Sequence, residues 1–203
     1  MSKLVPPHGG KGLVCRLLEG KALDDEKKKA AALPKIEISS RARGDLIMMG
    51  IGGFSPLEGF MKKADWKSVC ENMTLSDGTF WPVPVTLDIA ADDAKKLKVG
   101  DEVALVREGE TMATMKVEDI YEMTEADKKW ECEKIFKGEG PDSQDFWNIA
   151  PKDHPGVKMV LGQKDFNIGG PVKVLSEGDF PKRFPGVYMT PKQLREKMDA
   201  RGW

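Results

Sequence analysis

Apolar residues near the start of the chain recur three or four apart, the signature of helices that bury one face. Leu23 to Leu33, rich in Lys and Ala, reads as a solvent-facing helix ended by Pro34. Its run Asp24-Asp-Glu-Lys-Lys-Lys29 places acids early and bases late, which suits the helix dipole without calling for a ligand. Ala42, Leu46 and Met49 predict an amphipathic helix over 40–49, with Ser40 as its N-cap and Gly50 as a left-handed C-cap. Ser55-Pro56 is a cap-plus-N1 signal for a new helix, leaving Phe54, Leu57 and Phe60 to turn inward. Trp66, Val69 and Met73 mark another helical face after Asp65, and the runs 13–18 and 36–38 are short strand candidates.

From Phe80 the pattern changes to alternation, with Val83, Val85, Leu87 and Ile89 on one face behind an Asp77-Gly78 turn. Pro82 and Pro84 remove two N–H donors from one edge, so that strand must start at an edge or a bulge. Ala90 to Leu97 predicts a short helix. Residues 99–106 and 111–118 around Glu108-Gly109 predict an antiparallel hairpin whose inward side chains are Val103, Leu105, Ala113, Met115 and Val117. Thr124 and Asp127 cap a helix through Phe136 with Trp130, Ile135 and Phe136 as its apolar line. Residues 138–155 have the composition of a long loop, 157–161 and 171–175 read as strands, and Gly169-Gly170 as the tight turn before the second. Thr190-Pro191 opens an amphipathic helix through Arg201. Short strands with interspersed helices and no βαβ rhythm predict an α+β fold.

Charge and cysteine usage narrow the function classes. Lys plus Arg is 32 and Asp plus Glu is 33, a net charge of −1, so no global field draws in nucleic acid or anionic lipid. No apolar run approaches a membrane span, and no signal-peptide pattern opens the chain, so the expectation is a cytoplasmic protein with neither nucleic acid nor membrane as partner. Cys15, Cys70 and Cys132 are widely spaced and lack any CxxC pair, which fits free thiols rather than a disulfide framework or zinc site. Most of the eleven methionines sit in apolar stretches, as core filling does.

Candidate chemistry is sparse. Gly50-Ile51-Gly52-Gly53 fails the dinucleotide fingerprint because Ser55 stands where its third glycine belongs, and no GxxxxGK[ST] string occurs. A structural hinge is the better reading. The Pro6-Pro7-His8-Gly9-Gly10-Lys11 arm has backbone N–H groups able to cradle an anion, but reads better as an irregular arm packed on the body. His8 and His154 are the only histidines, too far apart in sequence for a local metal pair, and His154 before Pro155-Gly156 reads as a turn residue bonded to backbone. Arg41 and Arg43 are the best local candidates for an anion contact, with salt bridging the more ordinary role. No acid pair has the spacing of a general acid and base. No catalytic, cofactor-binding or metal residue is assigned in this chain.

Several long strings carry a family resemblance. Gly44 to Met61, Trp81-Pro-Val-Pro-Val-Thr-Leu-Asp88, Leu4-Val-Pro-Pro-His-Gly-Gly10 and His154-Pro-Gly-Val157 closely resemble the N-terminal region of ATP sulfurylase, or sulfate adenylyltransferase. That resemblance runs from about residue 4 to the last residue. It implies a PUA-like β-barrel with flanking helices over 1–185, followed by the first helix of an α/β nucleotidyltransferase domain over 186–203. It also implies a parent enzyme joining ATP, with Mg²⁺, and sulfate into adenylyl sulfate and pyrophosphate, and working as a homo-oligomer. The family's Gln-Thr-Arg-Asn-Pro string and His-x-x-His pair do not occur here and are expected just beyond residue 203, so this portion is expected to be inactive alone, with a structural or interface-forming role and no cofactor of its own. Two other classes remain open: an RNA-binding module, by analogy with PUA-like barrels elsewhere, and a stand-alone regulatory or scaffold protein.

Overall fold

The Lys-rich helix, α1 (Gly20–Ala30), turns only Glu26 and Ala30 fully inward and ends on Lys27, Lys28 and Lys29. It is one of eight helices and seven strands formed by the residues that the computed structural model describes, 4–10, 12–136 and 154–203. They belong to two units.

The first unit comprises Met1–Phe60, Val99–Glu118 and Gly170–Trp203. Strand β1 (Lys35–Glu37) lies parallel to β4 (Glu102–Arg107), which pairs antiparallel with β5 (Glu110–Lys116). The C-terminal part of β7 (Phe166–Val174) continues the sheet through Ala113↔Val174 and Met115↔Val172, and β2 (Gly59–Phe60) pairs with Pro171 and Gly170. Glu108 and Gly109, at φ 53° and 81°, form the tight turn expected between β4 and β5. The five expected inward residues of that hairpin are at most 1% exposed. Ala104, Val106, Met112 and Thr114 are buried too, because Ala30 of α1, with Leu23 and Leu33, packs against Ala104, Val106 and Leu175. Helix α2 (Ser40–Gly50) buries Leu46 and Met49 completely.

The second unit comprises Met61–Lys98 and Asp119–Gly169. Here β3 (Leu87–Ile89) and β6 (Asp119–Glu122) flank the first half of β7, so that Asn167 stands opposite both Asp88 and Tyr121. Helices α3 (Lys63–Asn72), α4 (Ala91–Ala94), α5 (Glu125–Phe136) and α6 (Pro155–Leu161) complete it. Trp66, Cys70, Tyr121 and Met123 form a core against which Trp130 and Ile135 pack. Thr124 and Asp127 do cap α5: the Asp127 N–H donates to Thr124 Oγ1 at 3.1 Å, and the Thr124 N–H to Asp127 Oδ2 at 3.0 Å.

The α+β reading holds, and several local expectations are corrected. Ser39, not Ser40, caps α2, accepting from the Ala42 N–H at 3.1 Å. Gly50 stays helical, with Val174 so close that a Cβ would lie 3.1 Å from it, and the left-handed residue is Gly52, at φ 82°. No helix starts at Ser55-Pro56. That peptide is cis, and Ser55 Oγ locks a turn by accepting from the Val14 N–H and donating to the Gly52 carbonyl. Met73 is the left-handed cap of α3 and points outward. The Phe80 alternation enters the ladder only at Leu87, after both prolines, and Val83 is exposed. Residues 13–18 contribute a single bridge, Leu17 to Val174, rather than a strand.

Residues 157–161 are helical, not extended. Pro155 occupies the first turn, His154 Nδ1 accepts from the Gly156 N–H at 3.0 Å, and Val157 and Val160, three apart, turn inward. A five-residue run with four apolar residues fits either geometry until its cap is known. Gly169 and Gly170 lie inside β7 rather than in a turn, where a Cβ would meet the Met61 carbonyl at 2.6 Å or the Lys116 carbonyl at 2.1 Å. On α5 the buried residues are Lys128, Glu131 and Cys132, with Trp130, Ile135 and Phe136 only half-buried. The expected loop at 138–155 lies outside the described residues as far as 153.

Candidate functional site

Among the described residues the only long helix without a buried residue is α8 (Pro191–Ala200), and a cleft lies on each side of it in the first unit. Its start is written locally. Thr190 Oγ1 accepts from the Gln193 N–H at 3.3 Å while Gln193 Oε1 accepts from the Thr190 N–H at 2.9 Å, and Pro191 fills the first helical position. Helix α7 (Phe180–Arg183) and a Gly186 turn at φ 79° precede it.

The first cleft, about 480 Å³, has Phe184 and Tyr188 on its wall and Glu19, Glu177, Lys192 and Glu196 at its polar positions. The Tyr188 hydroxyl donates to Glu177 at 2.8 Å, and burial together with that carboxylate pushes its phenol up to about 12. Tyr188 is therefore a neutral donor at physiological pH rather than a base. The second cleft, about 340 Å³, is apolar, with Leu194 and Met198 facing Pro7, Leu13 and the Gly52 to Ser55 turn. Arg195 ties α8 to the N-terminal arm by donating from Nη2 to the Val5 carbonyl at 2.8 Å.

The residues singled out for chemistry are not brought together. Arg41 Nε lies 3.8 Å from Asp45 in the same helix, and Arg43 Nη2 lies 3.7 Å from Asp179. His154 caps α6, whereas His8 lines the apolar cleft. Asp45 was not foreseen: burial drives its carboxyl up from 3.8 to about 6, against the opposing charge of Arg41. Its position one residue before Leu46 was the available signal. Cys70 and Cys132 are buried thiols whose ionisation burial opposes, and Cys15 is exposed. No group of three or more His, Cys, Asp or Glu residues stands close enough to hold a metal among the described residues.

A family model described as a PUA-like domain matches residues 5–177. The chain belongs to the PUA-like domain family. Within it, the chain is similar along its whole length to proteins named sulfate adenylyltransferase: 80% identical over 203 residues to that of Desulfovibrio desulfuricans, covering 100% of this chain and 48% of that protein. That of Desulfatibacillum aliphaticivorans is 66% identical over 206 residues, with 100% and 49% covered. That of Entamoeba histolytica is 49% identical over 206 residues, with 100% and 46% covered. The chain spans about half the length of the curated relatives it matches. A solved structure, "Hexameric APS kinase from Thiobacillus denitrificans", superposes with a TM-score of 0.69 at 24% identity over 98% of this chain and 32% of that one, a likeness of fold alone. The family resemblance read from the Gly44 to Met61 and Trp81 to Asp88 strings is borne out.

Proposed function

We propose that this chain is the PUA-like portion of a sulfate adenylyltransferase, an enzyme joining ATP and sulfate into adenylyl sulfate with release of pyrophosphate. The observation that carries this reading is the 80% identity to such a protein over all 203 residues. The PUA-like portion serves as a scaffold on which the other half packs, and 186–203 opens the nucleotide-binding domain. The cations needed to meet the charge of the transferring phosphoryl group are assigned to that other half, along with the seat of the ATP-bound Mg²⁺. Free Cys70 and Cys132 support a reducing, cytoplasmic setting, and the assembled enzyme is read as a homo-oligomer. RNA binding is not favoured, since the relatives are named for sulfate adenylylation and the net charge is −1.

The test is pyrophosphate release dependent on both ATP and sulfate. The 203-residue chain alone should release none above a blank. A fusion to the remaining half of the Desulfovibrio desulfuricans protein should be active. Release by the chain alone, or an inactive fusion that is folded, would overturn this reading.

A further inference from the structure

We infer that the apolar groove beside α8, together with the exposed apolar side chains of the segment 180–203 that carries this helix, is the seat of the other half of the parent protein. This rests on the proposed function and deepens it by assigning the contact surface. Phe180, Phe184, Val187, Leu194 and Trp203 are five of the thirteen large exposed apolar residues among those described, yet they fall within the last 24 positions, 180–203. An even spread would put one or two there. Val5, 80% exposed, is held beside the same helix by Arg195. So much apolar surface gathered in one stretch marks an interaction site rather than a chance scatter.

The groove is preformed. A Cβ at Gly52 would lie 2.9 Å from Cys15 Sγ, and one at Gly53 would lie 2.5 Å from Met48, so backbone rather than side chains lines that wall. Leu194 and Met198, one turn apart, supply the opposite wall. Its occupant follows from length. This chain accounts for 48% of its 80%-identical relative, and the remainder must bury its own apolar face against a partner surface. A groove of about 340 Å³ lined mainly by carbon takes large aliphatic or aromatic side chains from that remainder.

Hydrogen exchange on the isolated chain and on the fusion described above tests the assignment. In the fusion, amides of 191–200 should exchange at least about tenfold more slowly than in the isolated chain. Leu194→Lys should abolish that gain while leaving the melting temperature of the isolated chain unchanged, because Leu194 is already half exposed there. Met159→Lys, an equally exposed site on α6, should leave the exchange of 191–200 untouched in both. Unchanged exchange of 191–200 on fusion would overturn the assignment. So would an isolated chain that dimerises at micromolar concentration and is made monomeric by Leu194→Lys, which would name a second copy as the occupant. Activity is scored separately: an inactive fusion with a protected α8 sinks the functional reading and upholds the surface.

Discussion

The Trp66 indole N–H donates to the Glu131 carboxylate at 2.7 Å, with both residues at most 3% exposed. This bond joins α3 to α5 through the core that also holds Tyr121 and Met123. A carboxylate out of water depends on such donors, because an unpaired buried charge loses its hydration without recompense.

Trp66→Phe keeps the ring but removes the donor. It should lower unfolding free energy by about 2–4 kcal/mol, the charged hydrogen bond plus some lost packing. Urea unfolding of Trp66→Phe, Glu131→Gln and the double variant forms the check. A coupling below about 0.5 kcal/mol would show that the bond contributes little.

Asp45 carries a carboxyl raised by burial to about 6, so the folded form binds its proton more tightly than the unfolded form does. Stability from this group therefore falls as pH rises from about 3.8 to about 6 and stays low above that. Asp45→Asn should stabilise the chain at neutral pH by about 1–3 kcal/mol and have little effect near pH 4. Denaturation midpoints at both pH values check this, and a destabilised variant at neutral pH would count against it.

Glu26 behaves in the opposite sense. Burial works against its ionisation, but hydrogen bonds from Lys173 at 2.8 Å and Thr114 at 2.7 Å, with the charges of Lys173 and Lys29, hold its pKa below the usual 4.5. Its contribution is present above 4.5 and is lost as pH falls through the depressed folded value. Glu26→Gln should flatten the acid limb of the stability profile. An unchanged acid limb in urea titrations would remove Glu26 from the account.

Two glycines should respond oppositely to alanine. At Gly59 a Cβ would lie 1.9 Å from the Gly170 carbonyl, so Gly59→Ala must part β2 from β7 and should cost on the order of 3–5 kcal/mol. At Gly44, exposed within α2, a Cβ meets nothing, and Gly44→Ala should gain about 0.5–1 kcal/mol. Thermal melts of the two variants check the pair.

With no buried residue, α8 should exchange its amides in the isolated chain much faster than 101–106 and 112–117. Equal protection would mean that the helix is held as firmly as the β4–β5 hairpin without the other half of the protein.

What was legible in the sequence was written over short distances. The Glu108-Gly109 hairpin, the Thr124 and Asp127 cap and the Thr190-Pro191 start each depend on residues within one turn, and each was found. What escaped depended on distant partners. Val174 explains why the last residue of α2 is a glycine, and the Lys116 carbonyl why a strand holds one at Gly170, though neither lies near its glycine in sequence. Lys128 and Glu131 lie off the apolar line of Trp130, Ile135 and Phe136 expected for α5. Lys128 is buried because its ammonium reaches the Gln163 carbonyl at 2.5 Å and Asp165 at 3.1 Å, while Glu131 is met by Trp66. At the candidate site the start of α8 was readable, but its two clefts were not, since the N-terminal arm and the Gly52 turn that wall one of them are remote in sequence.

The doubly covered hairpin changes where its alignment is specified. In a sheet with one wet face, a slip of one residue throws apolar side chains into water and is rejected at once. Here Val103 and Leu105 would merely trade places with Ala104 and Val106, from one dry face to the other. Hydrophobicity is nearly blind to that error. The task falls to the two-residue turn, to the opposed charges Glu102 with Lys116 and Arg107 with Glu110 at the ends, and to the small Ala104 and Thr114 that leave room for α1. The least apolar residues of the hairpin are thus the ones that keep its two strands in step.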